Sequence, residues 1–160
     1  MTRHHPDRLP LFRPAADPAS LARIETLFGK AMPCEIRTLY AAYDGQSVGA
    51  PSLYLNQRWL PLDLVRVAWE DLCQRYGPCG ADAGGNWLVW SSEWLPLFGN
   101  PRGDHYCVDL GTTPAGRCGR ILWFLYDEPR RAVIAASLRR WLQRIADGVE
   151  DGTWRLDDGY

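Results

Sequence analysis

The segment Trp94-Leu95-Pro96-Leu97-Phe98-Gly99-Asn100-Pro101-Arg102-Gly103-Asp104-His105-Tyr106-Cys107-Val108-Asp109-Leu110 decides the fold. Trp94 to Phe98 and Asp104 to Leu110 are both rich in aromatic and branched side chains, and the Gly/Asn/Pro run between them is a turn, so the pair reads as two consecutive strands. Strand alternation puts Tyr106, Val108 and Leu110 on one face and His105, Cys107 and Asp109 on the other, which predicts an inward apolar face and an outward polar one. Two more strands flank them. Trp87 to Trp90 lies before, and Gly119 to Tyr126 follows. Ile121 to Tyr126 is apolar on both faces, as a central strand covered on both sides requires.

Towards the N-terminus the period changes from two to about 3.6. Asp17-Pro18 is a helix start, with Leu21, Ile24, Leu27 and Phe28 at helical spacing and Gly29 as the stop. Pro33 opens a second helix whose stripe is Ile36, Leu39, Tyr40 and Tyr43, and Asp44-Gly45 ends it. Leu53, Leu55 and Trp59, between Pro51 and Pro61, suggest a short strand or two. Asp63 is then expected to cap a third helix from Leu64 to Tyr76, with Val65, Ala68, Trp69, Leu72 and Tyr76 facing the core. Gly77-Pro78 terminates it, and Gly80 to Gly85 reads as a loop.

After the strands, Asp127-Glu128-Pro129 is expected to start the longest helix. It would run to about Ala146, with Ile134, Leu138, Trp141, Leu142 and Ile145 on one face and Gly148 as its stop. Helices, then antiparallel strands, then a helix describe one α+β domain with helices packed against a sheet. Residues 1–16 carry Pro6, Pro10 and Pro14 and read as an extended leader or strapped-down arm. The domain is expected over residues 17–155, with 156–160 as a fraying acidic tail.

With 160 residues, of which 46% are hydrophobic, one domain burying ~70% of its unfolded surface needs no disulfide or metal staple. A net charge of -1 argues against a nucleic-acid binder, which needs basic excess to neutralise phosphates. Eight Trp, seven Tyr and four Phe exclude low-complexity disorder. The longest apolar stretch, Ile121 to Tyr126, is far below the ~20 residues of a membrane span, and the first residues lack the apolar run of a signal peptide. Five cysteines, at 34, 73, 79, 107 and 118, form neither Cys-x-x-Cys ligand pairs nor an even framework, so reduced thiols in a cytoplasmic protein are expected. Seventeen arginines against the single Lys30 permit anion-binding forks, although nineteen acidic residues cancel their charge.

His105, Cys107 and Asp109 resemble a nucleophile–base–acid trio by composition. Side chains at i and i+2 on one strand, however, stand roughly 6–7 Å apart, beyond hydrogen-bond reach, and no nucleophile elbow is nearby. No metal is expected, because Asp104, His105 and Asp109 lack a second ligand segment. The Gly-rich stretches lack the Gly-Lys-Ser/Thr ending of a phosphate loop. No cofactor is expected. Trp90 and Trp94, beside Asp104, His105 and Asp109, have the aromatic-and-charged makeup of a protein-binding patch, with structural duty also open to Trp94 and Asp104.

The order of motifs resembles the SUKH superfamily, which includes the fungal cell-wall assembly regulators and many bacterial immunity proteins. The resemblance rests on Met32-Pro33 leading through Leu39-Tyr40 to Tyr43-Asp44-Gly45, on Trp94 to Gly99, on Gly103-Asp104-His105-Tyr106-Cys107-Val108-Asp109-Leu110, and on Gly119 into Ile121-Leu122. That last block and Val133 to Leu138 leading into Trp141-Leu142 are similar to the family's closing strand and helix. The likeness spans roughly residues 18–155. Met32 stands where Leu is usual, Asp44 where Asn is common and Leu138 where Phe is common. The resemblance implies a curved, mostly antiparallel sheet and no catalytic activity. It implies a protein partner, with neither nucleic acid nor membrane involved. Neutralisation of a toxin domain by occlusion is the first expectation, and a regulatory or scaffold role in wall or growth control is the alternative. In the immunity reading, Trp90, Trp94, Asp104, His105 and Asp109 would form an acidic, aromatic face towards a basic, nuclease-type toxin. A hydrolase using His105 and Cys107 is the third.

Overall fold

The computed structural model describes residues 11–77, 79–81, 88–111 and 119–152. Its first helix, α1 (Pro18–Phe28), begins where Asp17 accepts the Ala19 N–H at 3.1 Å and ends on Gly29 in the left-handed conformation. It is followed by α2 (Cys34–Ala42), the short strand β1 (Arg58–Trp59) and α3 (Leu62–Tyr76). Strands β2 (Cys79–Ala81), β3 (Leu88–Ser91), β4 (Trp94–Gly99), β5 (His105–Asp109), β6 (Arg120–Leu125) and β7 (Glu128–Ala135) precede the closing helix α4 (Leu138–Glu150).

The main sheet runs β1-β4-β5-β6-β7, every neighbouring pair antiparallel, and β2 pairs with β3 separately. This is a single-domain α+β fold with an open antiparallel sheet. Helical cover on both faces leaves every residue of β4 and β5 buried. One apolar cluster joins Leu95, Leu97, Tyr106, Val108 and Ile121 to Ile24, Ile36 and Tyr40 of α1 and α2 and to Leu138, Trp141 and Ile145 of α4. The second joins Trp94, Cys107, Leu122 and Phe124 to Trp90 and to Leu72 of α3. The expected outward polar face of β5 is therefore an inward one. His105, Cys107 and Asp109 point into the layer under α3, because a central strand here has helix or hairpin on either side.

Four helix boundaries, two of them those of α4, differ from the sequence reading. Helix α2 stops at Ala42, with Tyr43 already extended. Asp44 is needed elsewhere: its N–H reaches Pro14 O at 2.9 Å and its Oδ1 accepts the Leu62 N–H at 2.8 Å. That second bond caps α3 from a distance, so α3 starts at Leu62 and not after an Asp63 cap. Asp63 sits in the first turn and pairs with Arg13. The third difference is larger. Residues 128–135 form β7, not the start of a helix, because Tyr126-Asp127 makes a tight connection that lets them pair with apolar β6. Ile134 fell into helical phase with Leu138 and Trp141 by coincidence. Pro129 is tolerated because β7 is an edge strand. Ser137 then caps α4 by accepting the Arg140 N–H, and the helix passes through Gly148 to Glu150.

Between Gly49 and Leu62 only β1 forms as a strand, preceded by a bridge between Tyr54 and Gln57 across Leu55 and Asn56, both at positive φ. Residues 11–16 are strapped to the domain: Phe12 bridges Gln46 and packs with its ring tilted against Tyr43 at 5.3 Å, and Ala16 N–H reaches Tyr40 O. Gly80 and Ala81, expected in a loop, lie in β2 and pair with β3; residues 1–10 of the expected leader, the 156–160 tail, Trp87 and residues 82–85 lie outside the described residues.

Gly45 combines φ +71° with a backbone approach so close that an added Cβ would lie 2.4 Å from Pro61 N. Gly29 has φ +65° and open space. Gly29→Ala should therefore cost only the left-handed strain, ~1–2 kcal/mol. Gly45→Ala should cost more than ~4 kcal/mol or prevent folding, since two backbone segments must separate. Urea denaturation of the two variants checks the difference.

Candidate functional site

Four of the five residues suggested by sequence lie in the interior. Trp90 is 0%, Trp94 5%, Asp109 5% and His105 9% exposed. They do not form an outward face, because the surface they were expected to present is covered by α3 and the β2–β3 pair. Trp90 packs edge-on against Trp94 at 5.8 Å and Phe124 at 5.7 Å, and its Nε1 donates to Cys73 Sγ. Asp104 is half-buried and fastens two turns: it accepts from Asn100 Nδ2 through Oδ2 and from the Tyr126 N–H through Oδ1. Asp109 accepts the Gly111 N–H at 3.0 Å and pairs with Arg120 Nη2 at 2.6 Å.

The His105–Cys107–Asp109 row is not a reactive constellation. His105 Nδ1 is engaged by Phe98 O at 3.1 Å and Asp109 by Arg120. Burial pushes the Cys107 thiol pKa far up, despite the opposing charge of Arg131, which makes a buried thiol inert. Cys34, Cys73 and Cys107 are free. Among the described residues no three His, Cys, Asp or Glu side chains are placed to hold a metal, and no helix is long and apolar enough to cross a membrane.

The molecule does present a groove, of about 540 Å³, between α3 and the β1 edge. Its α3 wall is Leu64, Val67, Ala68 and Asp71, an i, i+3, i+4, i+7 stripe. The expected core-facing stripe of α3 holds for Val65 and Leu72, which are buried, but Ala68, assigned to it, lines the groove instead, and the second stripe formed by Leu64 and Val67 is no part of that reading. A helix apolar on two faces is short of one partner, and that was the signal available. Leu64 and Val67 are 45% and 49% exposed, and Val48, on the opposite rim, is 98% exposed. Pro61, Leu60 and Pro101 complete the apolar lining.

His105 closes the inner end of this groove. Gly99 leaves room for its ring, since a Cβ there would lie 2.8 Å from Nδ1. A carbonyl only accepts, so Nδ1 of the neutral ring carries the proton towards Phe98 O and Nε2 is an acceptor with no partner among the described residues. Burial lowers the His105 pKa, outweighing the Phe98 hydrogen bond and the nearby Asp104 and Asp71 charges, so the ring is held neutral. A slightly larger depression, about 610 Å³ between α1 and α2, is a weaker site: its Met32 and Tyr40 are buried, and Arg37 on its rim is paired with Glu25.

The structure is thus a single-domain α+β fold with an internally engaged polar row and an open apolar groove beside α3. The chain is a member of the SMI1 / KNR4 family (SUKH-1), whose model matches residues 15–144. It is similar to three fungal proteins over about 65 residues each. The cell wall biosynthesis/cell cycle regulator smi1 of Schizosaccharomyces pombe is 32% identical, covering 41% of this chain and 13% of the relative. The glucan synthesis regulatory protein of Neurospora crassa is 32% identical, with 41% and 12% covered. The cell wall assembly regulator SMI1 of Saccharomyces cerevisiae is 35% identical, with 41% and 13% covered. The chain thus aligns with only a small part of the length of these relatives, which are named regulators rather than enzymes.

Because the folded His105 resists protonation more than the unfolded one, the unfolded state binds the extra proton as pH falls below the ordinary histidine value of ~6.5. The stability contributed by the neutral ring is complete above that pH and shrinks as acid is added. His105→Asn, whose amide can still donate to Phe98 O, should lose less stability between pH 7.5 and 5.5 than the parent chain. Denaturant midpoints measured across that range check this.

Proposed function

We propose that the chain is a non-catalytic protein-binding domain that regulates or scaffolds cell-wall assembly or growth control. The observation that carries the binding part is the second apolar stripe of α3: Leu64 and Val67, exposed opposite Val48 around a groove. Burying such side chains gives ~1.5–3 kcal/mol each when complete, enough for a few to anchor a partner. The regulatory part is supported by the fungal relatives, whose names place them in wall biosynthesis, glucan synthesis and cell-cycle control. These names favour regulation over toxin neutralisation, the reading first expected from the family resemblance.

The test is capture of partners by the whole chain from the cells that encode it, beside the double variant Leu64→Asp/Val67→Asp. The parent chain should retain a protein of wall synthesis or growth signalling, and the variant should bind it at least about a hundredfold more weakly with an unchanged melting temperature. A partner held equally by the variant removes the groove from the reading. Recovery of a toxin domain made by the same cell replaces regulation by immunity.

A further inference from the structure

Most of the charge around the groove is already spent within the chain. Arg13 lies 3.3 Å from Asp44 and 3.0 Å from Asp63, and Asp71 lies 3.0 Å from Arg75. Arg58 is the exception: it lines the groove half-buried, and among the described residues no carboxylate, carbonyl or ring accepts from it. Its backbone is fixed, since β1 pairs Arg58 with Gly99 and Trp59 with Phe98 in the sheet, and neighbouring Trp59 is 4% exposed. A partly desolvated guanidinium with five donors is most stable beside a planar anion such as a carboxylate. The second unmatched group is the His105 acceptor Nε2, on a side chain that is 91% buried by its 9% exposure and yet lines the same groove.

We propose that the groove takes an apolar, acidic segment of the partner protein, with a carboxylate on Arg58, an N–H donated to His105 Nε2 and apolar side chains between Val48 and the Leu64–Val67 stripe. This rests on the docking role proposed above and adds the chemistry of the occupant. One unpaired cation fits a carboxylate better than a polyanion, which needs several cations. Arg13 is shared by Asp44 and Asp63 and Arg75 pairs with Asp71, so the rim balances only when Arg58 is included, and a visiting carboxylate is held by the local Arg58 fork and not by net charge. The occupant is recognised by three kinds of contact: area, one fork and one acceptor.

A displayed library of random 12-residue peptides, selected on the full chain, tests this. Selected peptides should be enriched at least about tenfold in Asp or Glu next to Leu, Ile or Phe. Their amide-shift perturbations should centre on Val48, Leu64, Val67 and His105. Arg58→Glu should turn the charged preference to Lys or Arg, and Arg58→Gln, a milder change for the fold, should abolish it while keeping the apolar consensus. Selection of apolar peptides without acidic residues, lost in Leu64→Asp/Val67→Asp, overturns the carboxylate inference and leaves the docking reading standing. An acidic preference unchanged in Arg58→Glu overturns it as well, and so does the absence of any consensus from the parent chain.

Discussion

Strand β5 has no side that meets water, and the rest of the structure is arranged around that constraint. A strand buried on both faces can hold polar side chains only if each finds an internal partner. His105 has the Phe98 carbonyl, and Asp109 has Arg120 with the Gly111 amide. Cys107 needs none, because a thiol packs as a small apolar group. These partners come from β4, β6 and the strand ends, so satisfying β5 also fixes the register of its neighbours. Arg131 extends the arrangement: its guanidinium lies 4.0 Å over the Phe124 ring while Nε donates to Val89 O and Nη1 to Leu125 O. One side chain of β7 thereby ties β3 to the main sheet, across the face that β5 needs covered.

Strands β3 to β6 and the first three helices were legible because their signals are local, whereas β2 overlaps an expected loop and β7 an expected helix. Asp17 and Pro18 act on adjacent residues, and alternation in β5 needs no knowledge of the sheet. What failed were decisions made by distant groups. Asp44 ends α2 and caps α3 because it meets Leu62, eighteen positions on, and no window on either helix contains both. The segment 128–135 carries Val133 and Ile134, which favour strands, but Ile134 also matched the helical phase of α4. The vacant edge of β6 decided between them.

The site was less legible than the fold, for a related reason. Aromatic and charged residues in the strands looked like a surface patch, yet in a sheet covered twice the largest side chains go inside: Trp90 and Trp141 are 0% exposed. The partner-facing candidates instead lie on α3, among ordinary Leu and Val residues that a single-stripe reading assigns to nothing. Composition could not separate a buried tryptophan from an anchor, whereas the count of apolar faces on α3 could have exposed the surplus.

That surplus also argues for what the groove does. Leu64 and Val67 contribute little to folding where they stand, since roughly half of each remains in water. A polar residue at either position would keep the helix, leave the core stripe of Val65 and Leu72 intact and lower the risk of aggregation. The same holds for Val48, whose side chain is almost wholly solvated. Three such residues meet around one concavity, with a neutral imidazole at its inner end and an unpaired guanidinium on its wall, and this surface is the one on which the docking proposal rests. The inertness of the β5 row is consistent with that division: polar groups on the central strand hold the frame, and the apolar residues that the frame does not use face the groove.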